Sequence, residues 1–131
     1  MTQTLEQKRA KHALDKVHVI KDKCQGEQRK KFVSYAESLP ATILTNGLGQ
    51  AGAMLLAQAK NDTESAHRLL YDTLEEWLCR DDPQAPYRGE SGLMAAIVNR
   101  DRATYVRAQA EALAYLEWFK KFTVAFLKEK D

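Results

Sequence analysis

Apolar side chains recur at the spacing of an α-helix along most of this chain. In the first segment they fall on one arc at about 100° per residue, opposite an arc rich in lysine and arginine. The members of the apolar arc are Ala10, Ala13, Leu14, Val17, Ile20 and Cys24. Thr4 and Gln7 have the spacing of a capping box, and Gln25-Gly26 is typical of a helix end. The pattern predicts a first helix over about residues 4–24.

The same periodicity predicts three further helices in the middle of the chain. The second begins near residue 27 and meets Pro40, which must bend or stop it, and the segment ATILT adds one more turn. Asn46-Gly47 then ends this helix, because both residues tolerate a left-handed backbone. A third helix is predicted over residues 48–60, and a fourth from residue 61 or 62 to residue 78.

Turn-forming residues separate these helices from the C-terminal part of the chain. The stretch CRDDPQAPYRGESG contains two prolines and two glycines, and it predicts a loop over residues 80–91. A short helix over residues 93–99 and a long helix over residues 101–128 follow. We therefore expect one all-α domain over residues 1–131, a single-domain bundle of about five to six helices.

The choice of apolar residues supports an all-α fold. Alanine occurs 18 times and leucine 15 times, against six valines and three isoleucines. Alanine and leucine lose little side-chain entropy in a helix, whereas β-branched residues favour strands. Composition and periodicity therefore indicate the same fold class.

The stretch GLGQAG, residues 47–52, matches the G-x-G-x-x-G pattern of dinucleotide-binding units. That motif needs a strand before it, and here a helical stripe interrupted by proline precedes it, so the nucleotide interpretation fails. We expect a helix–helix corner, in which Gly47 closes one helix and Gly52 lets the next approach a neighbour closely. Gly49 has no role in that interpretation. An alternative is that the backbone N–H groups of this helix start bind an anion.

Cysteine usage and hydropathy indicate a cytoplasmic protein. Cys24 and Cys79 are far apart and form no C-x-x-C motif, so no disulfide framework is indicated. The N-terminal segment lacks the apolar run of a signal peptide, and no stretch approaches about 18 apolar residues. We therefore expect neither secretion nor a membrane span.

No combination of residues in the sequence is typical of a catalytic site. His12, His18 and His67 show no zinc-ligand spacing with one another or with cysteine. The nucleophile elbow G-x-S-x-G and the P-loop are absent. Asp81-Asp82 is a candidate cation site, but in a proline-containing loop we expect both side chains to be solvated. We predict no catalytic residue, no metal and no cofactor; a site assembled from distant residues is the remaining route to an enzyme.

Charge is distributed unevenly behind the net value of +2. Residues 1–31 carry nine basic and four acidic side chains, residues 32–96 carry four and nine, and residues 97–131 carry seven and five. The basic arc of the first helix is therefore a candidate for sequence-independent contacts with phosphate groups. The alternative is a solvated polar face that binds nothing.

Trp118 falls on a polar arc of the last helix, together with Arg100, Arg107, Ala114 and Lys121. A tryptophan in that position suits stacking on a base or anchoring a protein–protein contact. Packing against a neighbouring helix or loop is the alternative that involves no ligand.

Several of these features together resemble a known family. Pro40 precedes NGLGQ at residues 46–50, an alanine-rich helix follows, and EALAYLEWFKKF comes after Tyr105 near the C-terminus. In these stretches and in its length the chain resembles the small helical subunit of the type III-B CRISPR effector, the Cmr complex. The resemblance covers essentially the whole chain apart from the loop over residues 80–91.

The resemblance implies a structural subunit of an antiviral ribonucleoprotein, without catalysis of its own. Such subunits stack head to tail in several copies, contact the other subunits, and line the channel for guide RNA and target RNA. The residues expected to contact the RNA backbone are Lys8, Arg9, Lys11, Lys16, Arg107, Lys120 and Lys121. The residues expected to meet partners or to support the fold are Asn46, Gly47, Gly49, Gln50 and Trp118. The alternative is a helical adaptor that binds only protein.

The RNA contacts expected on the first helix also imply something about stability. Lys8, Arg9, Lys11 and Lys16 lie off the apolar stripe, so we expect alanine at these positions to leave the fold intact. Lys120 projects toward the apolar arc of the last helix and is the weakest of the seven candidates.

Overall fold

Six α-helices make up the part of the chain that a computed structural model describes, residues 2–129. In chain order they are α1 Leu5–Lys23, α2 Gly26–Asn46, α3 Leu48–Ala59, α4 Ala66–Leu78, α5 Leu93–Asn99 and α6 Arg102–Leu127. No strand occurs within these described residues. The prediction of an all-α bundle of five to six helices is therefore confirmed.

The starts of α1 and α6 follow the capping signals in the sequence. Thr4 Oγ1 accepts a hydrogen bond from Gln7 N at 3.1 Å, and Thr4 N donates to Gln7 Oε1 at 2.8 Å, which is the predicted capping box. Asp101 caps α6 by accepting from the backbone N–H of Thr104 at 2.9 Å. Local side-chain chemistry thus places both helix starts.

Pro40 lies inside α2 and does not stop it, because the helix continues unbroken to Asn46. Proline removes one backbone donor from the helical ladder, but Leu39 and Ile43 on either side of it are buried in the core. Tertiary packing therefore outweighs the local signal, as is usual for helices stabilised by an apolar face. Gly47 ends α2 at φ 88°, donating its N–H to Ile43 O at 2.7 Å.

The start of α4 differs from the prediction of residue 61 or 62. Asp62 accepts instead from the backbone N–H of Glu64 at 2.9 Å, which forms a local turn that competes with helix. Ser65 is the residue that caps α4, accepting from Arg68 N at 3.1 Å. The helix consequently begins at Ala66.

One buried cluster contains side chains from all six helices and from the segment between α4 and α5. From the apolar arc of α1 it contains Ala13, Val17, Ile20 and Cys24. Its largest members include Tyr115 of α6 and Tyr87 of the interhelical segment. Tyr87 N donates to Leu78 O at 3.0 Å, so part of the predicted loop is folded onto the end of α4.

Candidate nucleic-acid interface

α1 lies along α6, and the two helices run in the same direction. Arg9 contacts Glu111, and nine residues later His18 lies against Phe126, with ring centroids 5.2 Å apart. Of the four predicted RNA-binding residues of α1, Lys8 and Lys16 face α4 and the segment that follows it, and Arg9 faces α6. This placement decides how many of those cations reach solvent.

Arg9 points into the structure. Its Nε and Nη2 donate to the two carboxylate oxygens of Glu111 at 2.7 and 2.9 Å, and its Nη1 contacts Glu6 at 3.2 Å. Trp77 Nε1 also donates to Glu111, at 3.0 Å. Only 16% of the Arg9 side chain and 8% of the Glu111 side chain are exposed. The expectation that Arg9 lies off the packed side of α1 is therefore wrong.

Glu76 of α4 holds two further side chains of α1. Lys16 Nζ donates to one of its oxygens at 2.8 Å, and His12 Nε2 lies 3.1 Å from the other. The other ring nitrogen of His12 lies 2.6 Å from the hydroxyl of Tyr115. Burial lowers the pKa of His12 even though the carboxylate of Glu76 opposes that shift. Burial raises the pKa of Glu76, but bonding to Lys16 and His12 outweighs it and lowers that pKa.

The segment between α4 and α5 joins α1 to α6. Lys8 Nζ donates to Asp82 at 3.3 Å and to the side chain of Gln84 at 3.1 Å. Arg107 Nη2 donates to the backbone carbonyl of Gln84 at 3.2 Å. Lys8 and Arg107, which are far apart in sequence, therefore both donate hydrogen bonds to Gln84. Asp82, expected to be solvated, is paired with a lysine.

The remaining predicted RNA-binding residues are open to solvent. Lys11 pairs with Asp15 on its own helix at 3.0 Å, and 64% of its side chain is exposed. Lys121 lies 3.7 Å from Glu117, and 75% of its side chain is exposed. Lys120 is also exposed, contrary to the expectation that it projects toward the apolar arc.

The glycine-rich corner between α2 and α3 is held by α6. Leu48 N donates to Gln109 Oε1 and Gly49 N donates to the hydroxyl of Tyr105, both at 2.9 Å. These contacts give Gly49 a role that the sequence did not reveal. They also occupy two of the N–H groups that the anion interpretation of this corner requires, those of Leu48 and Gly49. A Cβ at Gly47 would lie 3.1 Å from the Tyr105 hydroxyl.

The other residues of this corner have distinct surroundings. A Cβ at Gly52 would come within 2.6 Å of Met94 Cε, in agreement with the predicted close approach of a neighbouring helix. Asn46 donates from its side chain to Thr42 O at 3.3 Å, and Gln50 is exposed. Within residues 2–129, neither side chain forms a hydrogen bond with α6.

Trp118 is half-buried at the seam between α1 and α6. Its indole N–H donates to Glu6, and its ring lies 5.7 Å from that of Phe122. The packing interpretation of Trp118 therefore describes the isolated chain. The exposed part of the ring is what remains for a base or a protein partner.

Within residues 2–129, no group of three or more histidine, cysteine, aspartate or glutamate side chains is placed to hold a metal ion. Over the same part of the chain, none of the helices combines the length and apolarity that a membrane crossing requires. Glu111 is the important residue that sequence reasoning missed. The sequence signal for Glu111 is a carboxylate next to the apolar positions of α6, in the stretch EALAYLEW.

Comparison with known proteins bears on the same residues. The family described as CRISPR-associated protein (Cas_Cmr5) matches residues 5–126 of this chain. A protein of Thermus thermophilus named CRISPR system Cmr subunit Cmr5 is 31% identical over 110 residues, which cover 84% of this chain and 87% of that protein. The resemblance drawn from NGLGQ, Tyr105 and the last helix is confirmed. The chain belongs to the Cmr5 family of CRISPR-associated proteins.

Proposed function

We propose that this chain is a non-catalytic structural subunit of a type III-B CRISPR ribonucleoprotein, contacting guide and target RNA through their phosphate backbone. The observation that carries the proposal is the family match over residues 5–126. The Thermus thermophilus relative, whose name describes a Cmr subunit, supports it. In RNA-guided effectors base pairing reads the sequence while protein contacts backbone and shape, so surface cations suit the role.

The seven proposed RNA-contacting residues differ in availability. Lys11, Lys120, Lys121 and Arg107 are exposed, and they supply the direct contacts. Lys8 and Lys16 contact the RNA backbone after their ammonium groups leave their carboxylate partners and bind a phosphate group instead. Arg9 acts indirectly, because its contact with Glu111 holds α1 against α6.

The proposal includes assembly. The chain, folded as one domain over residues 1–131, contacts other subunits of the complex and stacks head to tail with copies of itself in the cytoplasm. A head-to-tail contact needs two different surfaces, and this geometry propagates a stack. The acidic middle and the basic ends of the sequence are complementary in charge. Trp118, Asn46 and Gln50 are the proposed partner contacts.

Salt titration of reconstituted complexes tests the RNA contacts. Replacing Lys11, Lys120 and Lys121 by alanine should weaken binding about equally for every target sequence. The slope of log affinity against log salt should become shallower by somewhat under one unit per lost phosphate contact. The control replaces three exposed lysines elsewhere, Lys30, Lys31 and Lys60. Equal affinity and slope in the two triple variants would overturn the proposal that these residues contact RNA.

The protein-only adaptor is the second candidate, and one observation favours it. Lys8, Arg9 and Lys16 already pair with carboxylates of the same chain, which reduces the charge available to RNA. If the chain is a protein-only adaptor, the complex that carries the Lys11, Lys120 and Lys121 variant should bind RNA normally. The Trp118→Ala variant should instead dissociate from the other subunits. Co-purification of the chain with the other subunits measures the second effect.

An RNA cleavage assay tests whether the chain lacks catalytic activity. We expect the purified chain to leave RNA intact in the presence of magnesium. Metal-dependent cleavage that remains with the folded protein through purification and disappears on one point substitution would contradict a purely structural role.

A further inference from the structure

Two arginines that form no ion pair with a carboxylate of residues 2–129 are linked through the contact between Trp77 and Glu111: Arg80 stacks on Trp77, and Arg107 lies one turn before Glu111 on α6. Arg80 lies just after α4, and Arg107 lies in the first half of α6. Their neighbours Lys8 and Arg9 are both paired, with Asp82 and Glu111 respectively. The positive charge left over at this place therefore belongs to the two arginines.

Arg80 is held in a fixed orientation. Its guanidinium carbon lies 3.4 Å from the centroid of the Trp77 ring, and its Nη1 donates to Trp77 O at 2.6 Å. Its Nη2 is enclosed and has no hydrogen-bond partner among the described residues. An enclosed donor that has lost water and gained no acceptor is costly, so the site favours the arrival of an acceptor.

The electrostatic surroundings favour an anion as that acceptor. Burial lowers the pKa of Arg80, Asp82 and Glu111 oppose this, and Arg9 and Arg107 lower it further. The carboxylates that oppose the shift already accept hydrogen bonds from lysine, arginine and tryptophan. Arg107 is exposed, and its one acceptor among residues 2–129 is a neutral carbonyl, that of Gln84, at 3.2 Å.

We propose that Arg80 and Arg107 together hold one phosphodiester group of the RNA backbone, between the start of the α4–α5 segment and α6. This inference rests on the proposed function and adds Arg80 to its contacts. A guanidinium presents a planar fork that matches two phosphate oxygens, and stacking on Trp77 sets the fork of Arg80 in advance. Contact with the phosphate requires a local rearrangement that exposes the enclosed Nη2.

The fluorescence of Trp77 reports on this site directly. The chain has two tryptophans, so Trp118→Phe leaves Trp77 as the only one. Titration of this full-length variant with an oligouridylate of about 20 nucleotides at low salt should give a saturable change in emission. Adding Arg80→Gln or Arg107→Gln should each weaken binding by roughly tenfold and reduce the salt slope by about 0.7.

Arg88→Gln is the matched control. Arg88 belongs to the same segment and is exposed, but it pairs with Asp81 at 2.9 Å. Its replacement removes the same charge and should leave the affinity nearly unchanged. Arg80→Gln also loses the bond to Trp77 O, so thermal melting checks its fold. Arg107→Gln, at an exposed position, tests the proposal independently of that bond. Equal affinity in the Arg107→Gln and Arg88→Gln variants would overturn the proposal.

Inorganic phosphate distinguishes the two sources of the anion. If the site is built for RNA backbone, millimolar phosphate should compete only weakly with the oligouridylate. Saturation of the Trp77 signal by phosphate, with no effect of RNA, would overturn the assignment to a phosphodiester.

The reconstituted complex separates this inference from the proposed function. If Arg80→Gln and Arg107→Gln bind target RNA like Arg88→Gln while the Lys11, Lys120 and Lys121 variant binds weakly, the arginine site is wrong and Arg107 is no RNA contact, but the proposed function stands on the lysines. If the lysine variant is also unaffected, both are wrong.

Discussion

The basic side chains of α1 and those of the C-terminal half of α6 have the same chemistry but different surroundings. Arg9 and Lys16 reach carboxylates that lie 102 and 60 residues away in the chain. Among the described residues, Lys121 reaches only Glu117, one turn away on its own helix. A count of positive charge in the sequence therefore overestimates the free charge of α1. The freer cations lie at the C-terminal half of α6, where the sequence is less basic overall.

The two regions also differ in what their ion pairs contribute to stability. An exposed pair gains little, because water screens both charges and the side chains lose entropy. Breaking an enclosed pair is costly, because the remaining charge is left without water or partner. The substitutions below test this contrast, in order of decreasing expected effect.

The largest effect is expected at Arg9. Arg9→Ala leaves the enclosed carboxylate of Glu111 with only the indole N–H of Trp77, which should lower the free energy of unfolding by about 3 kcal/mol. Urea denaturation measures the change. The control Lys11→Ala, in an exposed pair, should change it by less than about 0.5 kcal/mol. Equal stability of the two variants would remove the distinction between the regions.

A neutral contact of α6 extends the comparison. Tyr105→Phe leaves the N–H of Gly49 without its acceptor, and we expect a loss of about 1–2 kcal/mol in the free energy of unfolding. Tyr35→Phe is the control, because the Tyr35 ring stacks on His67 at 4.1 Å with no contact from its hydroxyl to a donor N–H. Equal denaturation midpoints for the two variants would show that the corner does not depend on this bond.

Acidification should lower the stability of the folded chain, in part through His12. Because the pKa of His12 is lowered by burial, the unfolded chain takes up a proton at about pH 6.5 before the folded chain does. Stability should therefore fall as the pH decreases through that value, until the folded pKa is reached. His67, also lowered by burial, adds to the slope. Urea midpoints between about pH 7.5 and 5.5 should vary less in His12→Gln; an unchanged slope would contradict this role of His12.

The smallest effect is expected at Lys121. Its side chain is 75% exposed and its pair with Glu117 is 3.7 Å long, so Lys121→Ala should change the free energy of unfolding by less than about 0.5 kcal/mol. A thermal melt compared with that of Lys120→Ala is sufficient. A loss above about 1 kcal/mol would place Lys121 among the structural cations.

The elements that the sequence predicted well are those with local causes. The capping residues Thr4 and Asp101 place the starts of α1 and α6, and Gly47 ends α2. The predictions failed where distant packing competes with a local signal. The segment predicted as a loop over residues 80–91 contributes the fully buried Tyr87 to the core. Pro40, predicted to bend or stop α2, lies inside a helix that continues to its predicted end at Asn46.

The candidate site shows the same division. The sequence identified the cations of α1 and α6 and the residues NGLGQ with Tyr105, and these were enough to indicate the family. Their partners were not predictable from spacing. Glu76, Asp82 and Glu111 face α1 only because the helices pack side by side.

By itself the sequence determined the helices, their apolar arcs and the family, because periodicity, capping and motifs are properties of neighbouring residues. Tertiary structure alone decided which cations are free, that the N–H of Gly49 binds the hydroxyl of Tyr105, and that Nη2 of Arg80 has no acceptor among residues 2–129. The physical reason is that hydrogen bonds and ion pairs form wherever the packed chain brings donor and acceptor within about 3 Å. In this protein the decisive pairs join segments that lie tens of residues apart.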